Sequence, residues 1–350
     1  MQKRRLGRSG PMVSSITLGT MTFGEQNTEA EGHAQMDRAF DAGVDILDAA
    51  ELYPIPPKPQ TTGRTEEIVG SWMKARGNRD RVTVATKVVG RTVMDWFRDD
   101  GSPGRLIRSQ IVEAVEKSLR RLQTDVIDLY QVHWPDREVP GFGSNPTRWA
   151  RVEPASDETA IEESAAVFAD LVREGKIRWL GLSNESAWGT MRWIAAAEKG
   201  IGPRPIAIQN AYSLLNRTYE VALAEVGERE GVGLLAYSPL AQGYLTGKYA
   251  GGALPEGSRK RLFDRLQRYE KPGTAAAVDA YVGLARDFGV DPATFAVAFT
   301  LNQSCCTSSI IGATTPAQLE TCLAAARLEW TAAMQQAVDA VHQRVGNPAP

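Results

Sequence analysis

Cysteine is scarce in this chain: three residues in 350, two of them adjacent at Cys305 and Cys306. That excludes a disulfide framework. With no secretory pattern after the basic Met1-Gln2-Lys3-Arg4-Arg5, it points to a reducing cytoplasm. Histidine is equally rare, only His33, His133 and His342, and no paired Cys/His spacing of the structural-zinc kind occurs, so no metal site is expected. No apolar run approaches the roughly 18 residues of a membrane span. Forty basic against 42 acidic residues leave a net charge of −2. Such a balance gives no electrostatic reason to expect nucleic acid or an anionic membrane as partner. No interior stretch is long or polar enough to serve as a linker, so 1–350 reads as a single domain.

What is present is alternation. After a Gly/Pro-turned hairpin over 4–15, short apolar runs alternate with helical stripes about eight times. The runs lie at 16–21, 46–53, 81–88, 126–133, 177–183, 206–212, 233–240 and 309–312. The intervening stripes are predicted as helices over 29–42, 66–76, 107–122, 160–173, 187–197, 219–229, 274–288, 292–302, 317–326 and 332–344. In 107–122 the apolar positions Ile111, Val112, Val115, Leu119 and Leu122 follow helical spacing. Repeated βα units with short apolar strands imply a parallel sheet. Eight of them favour an α/β fold of the closed (β/α)8 TIM-barrel type, with an N-terminal β-hairpin and long active-site loops. An open doubly wound sheet would carry Gly-x-Gly-x-x-Gly after its first strand, and none is there. Two long loops, 90–104 and 135–154, interrupt the pattern, and loops of that length are usually functional or disordered.

In a barrel the chemistry sits at the C-terminal strand ends. Three successive runs end in reactive side chains. The first delivers Asp48 with Tyr53 just beyond, the second Lys87, the third His133. Each alone has a bland explanation: a packed tyrosine, a structural ion pair, a satisfied histidine. Together at one rim they suit proton donation by a tuned phenol. Free tyrosine has a pKa near ~10. A lysine ammonium beside it favours the phenolate and lowers that value. Asp48 would hold Lys87, and His133 would donate a hydrogen bond to an oxygen turning negative. That set suits carbonyl reduction.

The motifs in chain order carry a resemblance. They are Leu18-Gly19-Thr20 with Thr22-Phe23-Gly24, Asp48-x-Ala-x-x-Tyr53, Ala85-Thr86-Lys87 and Asp128-Leu129-Tyr130-Gln131-Val132-His133-Trp134-Pro135. Further on come Gly175-Lys176-Ile177-Arg178, Gly181-x-Ser183-Asn184, Ile208-Gln209-Asn210, Tyr237-Ser238-Pro239-Leu240, Leu245-Thr246-Gly247-Lys248-Tyr249 and Ile311-Gly312-Ala313-Thr314. Over nearly its whole length the chain resembles the aldo-keto reductases. The runs Tyr53-Pro54-Ile55-Pro56-Pro57-Lys58-Pro59 and Tyr212-Ser213-Leu214-Leu215-Asn216-Arg217 are similar to those of its bacterial Tas subgroup.

The resemblance implies NADP(H) bound extended across the rim, with no Rossmann domain. It implies Tyr53 as general acid, Lys87 and Asp48 as its tuning pair, and His133 as the residue that orients the carbonyl. Ser183, Asn184 and Gln209 would hold the nicotinamide carboxamide, and Tyr237 would stack on its ring. Thr20 and Met21 would border the cofactor. Ser238, Leu240, Gly243, Leu245, Gly247 and Lys248 would line the pyrophosphate, with Pro239 and Gln242 also among the cofactor-binding residues. Gly312, Thr314 and Gln318 would meet the adenosine end, and Thr321 would also contact the cofactor. Apart from the resemblance, Arg259, Lys260 and Arg261 near the run Leu245–Tyr249 are cationic candidates for the 2′-phosphate. Many relatives carry a basic residue where Gly312 or Gln318 stands, and Asn where Cys322 stands. A small-molecule carbonyl substrate would meet Phe23, Tyr53, His133 and Trp134. Specificity would lie in 21–23, Trp134 and the loops 91–104 and 136–154, whose aromatics are Trp96, Phe97, Phe142 and Trp149. The sequence leaves homo-oligomerisation open. Two other classes compete: a cofactor-binding regulatory subunit of the channel β-subunit type, and a Schiff-base aldolase using Lys87, which Asp48 at its side disfavours.

Overall fold

A computed structural model describes residues 1–139 and 152–349. Phe142 and Trp149 lie outside the described residues. Strands β1 (Lys3–Arg5) and β2 (Met12–Ser14) pair antiparallel, as the Gly/Pro turn predicts. Eight parallel strands then close in chain order: β3 (Ile16–Gly19), β4 (Ile46–Asp48), β5 (Thr83–Val88), β6 (Ile127–Val132), β7 (Ile177–Ser183), β8 (Ala207–Ala211), β9 (Gly233–Tyr237) and β10 (Cys306–Ile311). The fold is the (β/α)8 barrel that the alternation predicts.

The helices are α1 (Glu29–Asp41), α2 (Arg64–Arg76), α3 (Arg108–Leu122), α4 (Ile161–Arg173), α5 (Ala187–Glu198), α6 (Leu223–Glu230), α7 (Arg259–Phe263), α8 (Thr274–Asp287), α9 (Pro292–Leu301), α10 (Pro316–Ala324) and α11 (Ala332–Val345). Local chemistry sets several of their starts. Thr28 and Glu31 form a reciprocal capping box on α1. Asp291 accepts from the Ala293 and Thr294 N–H groups, and Pro292 follows it in the first turn of α9.

Period-two alternation divides each strand. Outward residues such as Leu47, Val84, Tyr130 and Leu180 join the large core under the helices. Inward residues Ile46, Ala85, Leu129, Ala207, Leu235 and Ile310 form a second cluster with Leu6 and Val13 of the hairpin segment. The hairpin therefore closes the lower end of the barrel with apolar side chains, and the next inward layer is polar.

Several boundaries differ from the sequence pattern. The run 46–53 is strand only to Asp48, and Tyr53 stands in the loop beyond it. The run 233–240 ends at Tyr237, because Ser238 takes a left-handed φ of 56° and Pro239 has no N–H to donate. The predicted helix 219–229 breaks at Ala222, giving a 3-10 turn, Thr218–Val221, before α6. The last strand is longer than expected, so Cys306 is its first residue and not a residue ahead of it.

Helices α2 and α3 meet closely above β5. The carboxylate of buried Glu66 accepts from Thr86 Oγ1 at 2.5 Å and from Arg121 Nε at 2.6 Å, tying both helices to the strand that carries Lys87. Gly70 makes that approach fit, since a Cβ there would lie 2.4 Å from the Arg121 carbonyl oxygen. Alanine would gain about 1 kcal/mol in helix propensity, whereas overpacking costs about 1–3 kcal/mol. Because the obstruction is backbone, overpacking should win. Gly70→Ala is expected to lose stability on urea unfolding; a neutral or stabilised variant would show that the helix pair can slide apart freely.

Candidate active site

The strand ends bring the predicted set together. Beyond β4 the chain continues the ladder onto β5: Ala49 N–H donates to Ala85 O at 2.8 Å and Glu51 N–H to Lys87 O at 3.2 Å. Tyr53 N–H then turns back to Ala50 O at 3.0 Å. Lys87, fully buried, donates from Nζ to Asp48 Oδ2 at 2.8 Å and to Ala49 O at 2.7 Å. The other Asp48 oxygen accepts from Gln209 Nε2 at 2.7 Å and from Gln131 Nε2 at 3.4 Å. One carboxylate thus joins side chains from β5, β6 and β8 in a single polar layer across the barrel.

Above that layer the Tyr53 ring centroid lies 4.8 Å from Lys87 Nζ, within cation–π range. It meets the His133 ring edge-to-face at 5.7 Å, and His133 lies 4.8 Å from the Trp134 ring. An apolar cluster of Ala50, Leu52, Val89 and Phe97, with Tyr53, Ile55, Met94, Trp96 and Trp134 packed against it, walls one side. Trp134 Nε1 is fixed on Arg91 O at 2.8 Å.

The electrostatics correct one expectation. Tyr53 is pushed well above the usual phenol value, by burial first, then by Asp48 and Tyr237; Arg259 is the cation that opposes them. The expected net lowering by Lys87, which is itself paired with Asp48, does not occur. Burial also pushes the Lys87 ammonium below its usual range, with Asp48 opposing. His133 is driven well below the ordinary imidazole value by burial and then by the Lys87 charge, so its ring is neutral at pH 7.

The residues expected at the cofactor lie at the ends of β7 to β10, with Thr20 and Met21 after β3. Ser183 Oγ donates to Gln209 O at 2.9 Å. Asn184 Nδ2 donates to His133 O at 2.9 Å, and Asn184 Oδ1 accepts from Tyr237 Oη at 2.7 Å. The Gln209 amide is committed to Asp48, a role the sequence did not suggest. Thr20 Oγ1 also binds the Asp48 carbonyl, at 2.8 Å. Ser238, Ala241 and Gln242 adopt left-handed φ values of 56°, 47° and 54°, as does Asn184 at 51°. Non-glycine residues in that region are uncommon, and their gathering at one rim marks a constrained site. Gly243, Gly247 and Lys248 follow on the same turn, where Lys248 Nζ lies 5.2 Å from the Tyr249 ring. Across the rim, Thr314 N–H and Oγ1 both bond Gln318 Oε1, at 2.9 and 3.1 Å, beside exposed Gly312. Thr321 Oγ1 bonds its own helix at Ala317 O, and the Leu245 side chain is core.

Phe23 is not brought to the site. Its ring is buried between α1 and α2, beside Gly32 and Ile68, because the chain beyond β3 turns it outward into the helix layer. Two residues were missed. Gln131 lies two before His133 and so shares its inward face, a signal available in the strand period. Arg268, in the stretch between β9 and α8, lies over the Tyr237 ring at 5.8 Å and carried no local signal.

Comparison with known proteins agrees with this geometry. The model of the aldo/keto reductase family matches residues 15–343. Protein tas of Escherichia coli (strain K12) is 47% identical over 352 aligned residues, with 100% of both chains covered. Aldo-keto reductase YhdN of Bacillus subtilis (strain 168) is 33% identical over 333 residues, 91% of this chain and 87% of that one. A probable voltage-gated potassium channel subunit beta of Oryza sativa subsp. japonica is 32% identical over 326 residues, covering 91% and 89%.

The lowered His133 pKa has a stability consequence. Below the ordinary histidine value of 6.5, the unfolded chain binds a proton that the native imidazole refuses. Stability is therefore present above that pH and lost as pH falls, by up to about 1.4 kcal/mol per unit. Urea unfolding at pH 7.5 and 5.5 should show a loss on acidification smaller by about 1 kcal/mol in His133→Asn than in the wild type. Equal losses would mean that His133 protonates normally in the fold.

Proposed function

The chain belongs to the aldo/keto reductase family, and we propose that it is an NADP(H)-dependent oxidoreductase that reduces aldehydes or ketones to alcohols, with Tyr53 as the general acid. The strongest support is the stack of Asp48, Lys87, Tyr53 and His133 at one rim, with Lys87 Nζ 4.8 Å from the Tyr53 ring. A raised phenol pKa keeps Tyr53 protonated before reaction. Lys87 acts as the phenolate forms, when a cation at that distance stabilises the new negative charge. His133, neutral, can donate an N–H to the carbonyl oxygen without competing as an acid.

The rim opposite fits a dinucleotide. Gly243 leaves room where a Cβ would come within 2.9 Å of Lys248 Nζ, so the ammonium stands against bare backbone. Gln242 Oε1 is buried without a hydrogen-bond partner. Arg259 and Arg268 are half-buried, and no carboxylate among the described residues pairs with either. Such cations suit phosphate. Ser183, Asn184 and Tyr237 would hold the nicotinamide end, Gly243, Gly247 and Lys248 the pyrophosphate, and Thr314 and Gln318 the adenosine end. When bound, NADPH would supply the hydride to the carbonyl carbon. Trp134, Trp96 and the apolar wall around Tyr53 would exclude water from the substrate side.

The test is a panel of aldehydes and ketones with purified protein, following consumption of NADPH and NADH in parallel. We expect turnover with NADPH and tighter binding of NADPH than of NADH; equal dissociation constants would remove the preference. Tyr53→Phe and Lys87→Met should each slow reduction by about 10²–10⁴-fold, with NADPH affinity nearly unchanged for Tyr53→Phe. Wild-type turnover in Tyr53→Phe would overturn the acid assignment. Tight NADPH binding with no carbonyl reduced would favour the alternative reading, a cofactor-binding regulatory subunit of the channel β-subunit type.

A further inference from the structure

The polar layer holds Asp48 and Lys87 from within the barrel. Tyr53 lies in a loop, and the group nearest to it in the chain that is both charged and buried is Glu51. Its side chain is 2% exposed and that of its partner, Arg98, 0%. The contact is bidentate: Arg98 Nη1 donates to Glu51 Oε2 at 2.8 Å and Nη2 to Oε1 at 3.0 Å. The same Oε1 accepts from the Val89 N–H at 2.8 Å. Glu51 thus takes two rungs on one edge of β5, its own N–H on Lys87 O and its carboxylate on the Val89 N–H. Arg98 arrives from the loop 91–104, whose Met94, Trp96 and Phe97 join Leu52, Tyr53 and Trp134 in one apolar cluster. That loop is pinned again by Trp96 Nε1 on Thr62 Oγ1 at 3.0 Å and by Lys117 Nζ on Phe97 O at 3.0 Å.

Two buried charges are a poor way to add stability, since an apolar pair of the same shape avoids the desolvation cost. What a bidentate pair adds is a fixed geometry. We propose that Glu51 and Arg98 form a positioning pair for Tyr53. The pair clamps the 49–53 segment to the end of β5 and to loop 91–104, and so holds the phenol against Lys87 and His133. This rests on Tyr53 being the proton donor. A donor displaced by about 1 Å costs on the order of 10²-fold in rate.

The test uses the full chain in four forms besides wild type: Glu51→Gln, Arg98→Met, Arg98→Lys and the double variant Glu51→Gln/Arg98→Met. The double variant removes both charges together and so leaves neither uncompensated. Active sites are counted by NADPH titration, and kcat and KM are measured for one accepted carbonyl. Separately, ring resonances of ¹³C-labelled tyrosine are recorded, with Tyr53 assigned by its loss in Tyr53→Phe. Its edge-to-face contact with His133 makes those resonances sensitive to displacement. We expect kcat per site to fall about 10–100-fold in Arg98→Met and the double variant. NADPH affinity should stay within about twofold, the Tyr53 resonances should move, and Arg98→Lys should recover part of kcat. Unchanged Tyr53 resonances with unchanged kcat per site overturn the proposal, however far the melting temperature drops. Should Tyr53→Phe itself turn over normally, the acid assignment fails alone, and the clamp stands or falls on the resonances.

Discussion

A lysine ammonium sealed inside a β-barrel needs a counter-charge, and the rest of this site follows from that need. Lys87 has no exposed side-chain surface, and Asp48 at 2.8 Å is the carboxylate that meets it. Asp48 in turn carries a second oxygen that must be satisfied away from water, and Gln209 and Gln131 supply the donors. The outcome is a layer in which β4, β5, β6 and β8 are tied by side chains as well as by their backbone ladders. Below it the barrel is filled by the apolar plug that includes Leu6 and Val13. Removing either charge would strand the other in that interior, so the pair is costly to break whatever its net contribution to stability.

Much of this was legible because a strand has a period of two. Once His133 is placed inward, Gln131 follows by counting along β6, whereas Ser183, Gln209 and Tyr237, on other strands, were expected only from the resemblance. The closed barrel follows likewise from eight apolar runs and the missing Gly-x-Gly-x-x-Gly. Legibility stopped where the strands did. Phe23 lies four residues past the end of β3, where no alternation applies, and it turns into the helix layer. Ser238 adopts a left-handed conformation that composition does not announce. Arg98 and Glu51 are 47 residues apart, and nothing local to either marks the other as its partner.

The phenol shows a different limit. Reasoning from pairs of charges, a lysine beside a tyrosine lowers its pKa. In the fold the largest influence on Tyr53 is burial, which acts the other way, and the lysine arrives already paired. The two views are reconciled by asking which state is stabilised. Burial disfavours the phenolate at rest, whereas a cation 4.8 Å from the ring matters most when negative charge appears there.

The distribution of paired and unpaired cations divides the rim in the same way. On the side of Tyr53 the buried or half-buried cations have carboxylate partners: Lys87 with Asp48, Arg98 with Glu51, Arg121 with Glu66, Arg91 with Asp136. On the side of β9 and the stretch 243–269 after it, Lys260 is paired with Glu270, but Arg259 and Arg268 have no carboxylate partner among the described residues, and Arg259 is pushed below its usual value by burial and by Arg265. Burial of an uncompensated guanidinium is unfavourable unless an anion completes it. The paired half is therefore set before any ligand arrives, which suits groups that must stand in fixed geometry for proton transfer. Under the proposed function, the two guanidinium groups without carboxylate partners gain most from phosphate, so a dinucleotide with more phosphate charge would be held more firmly there, with its reactive ring directed towards the paired side.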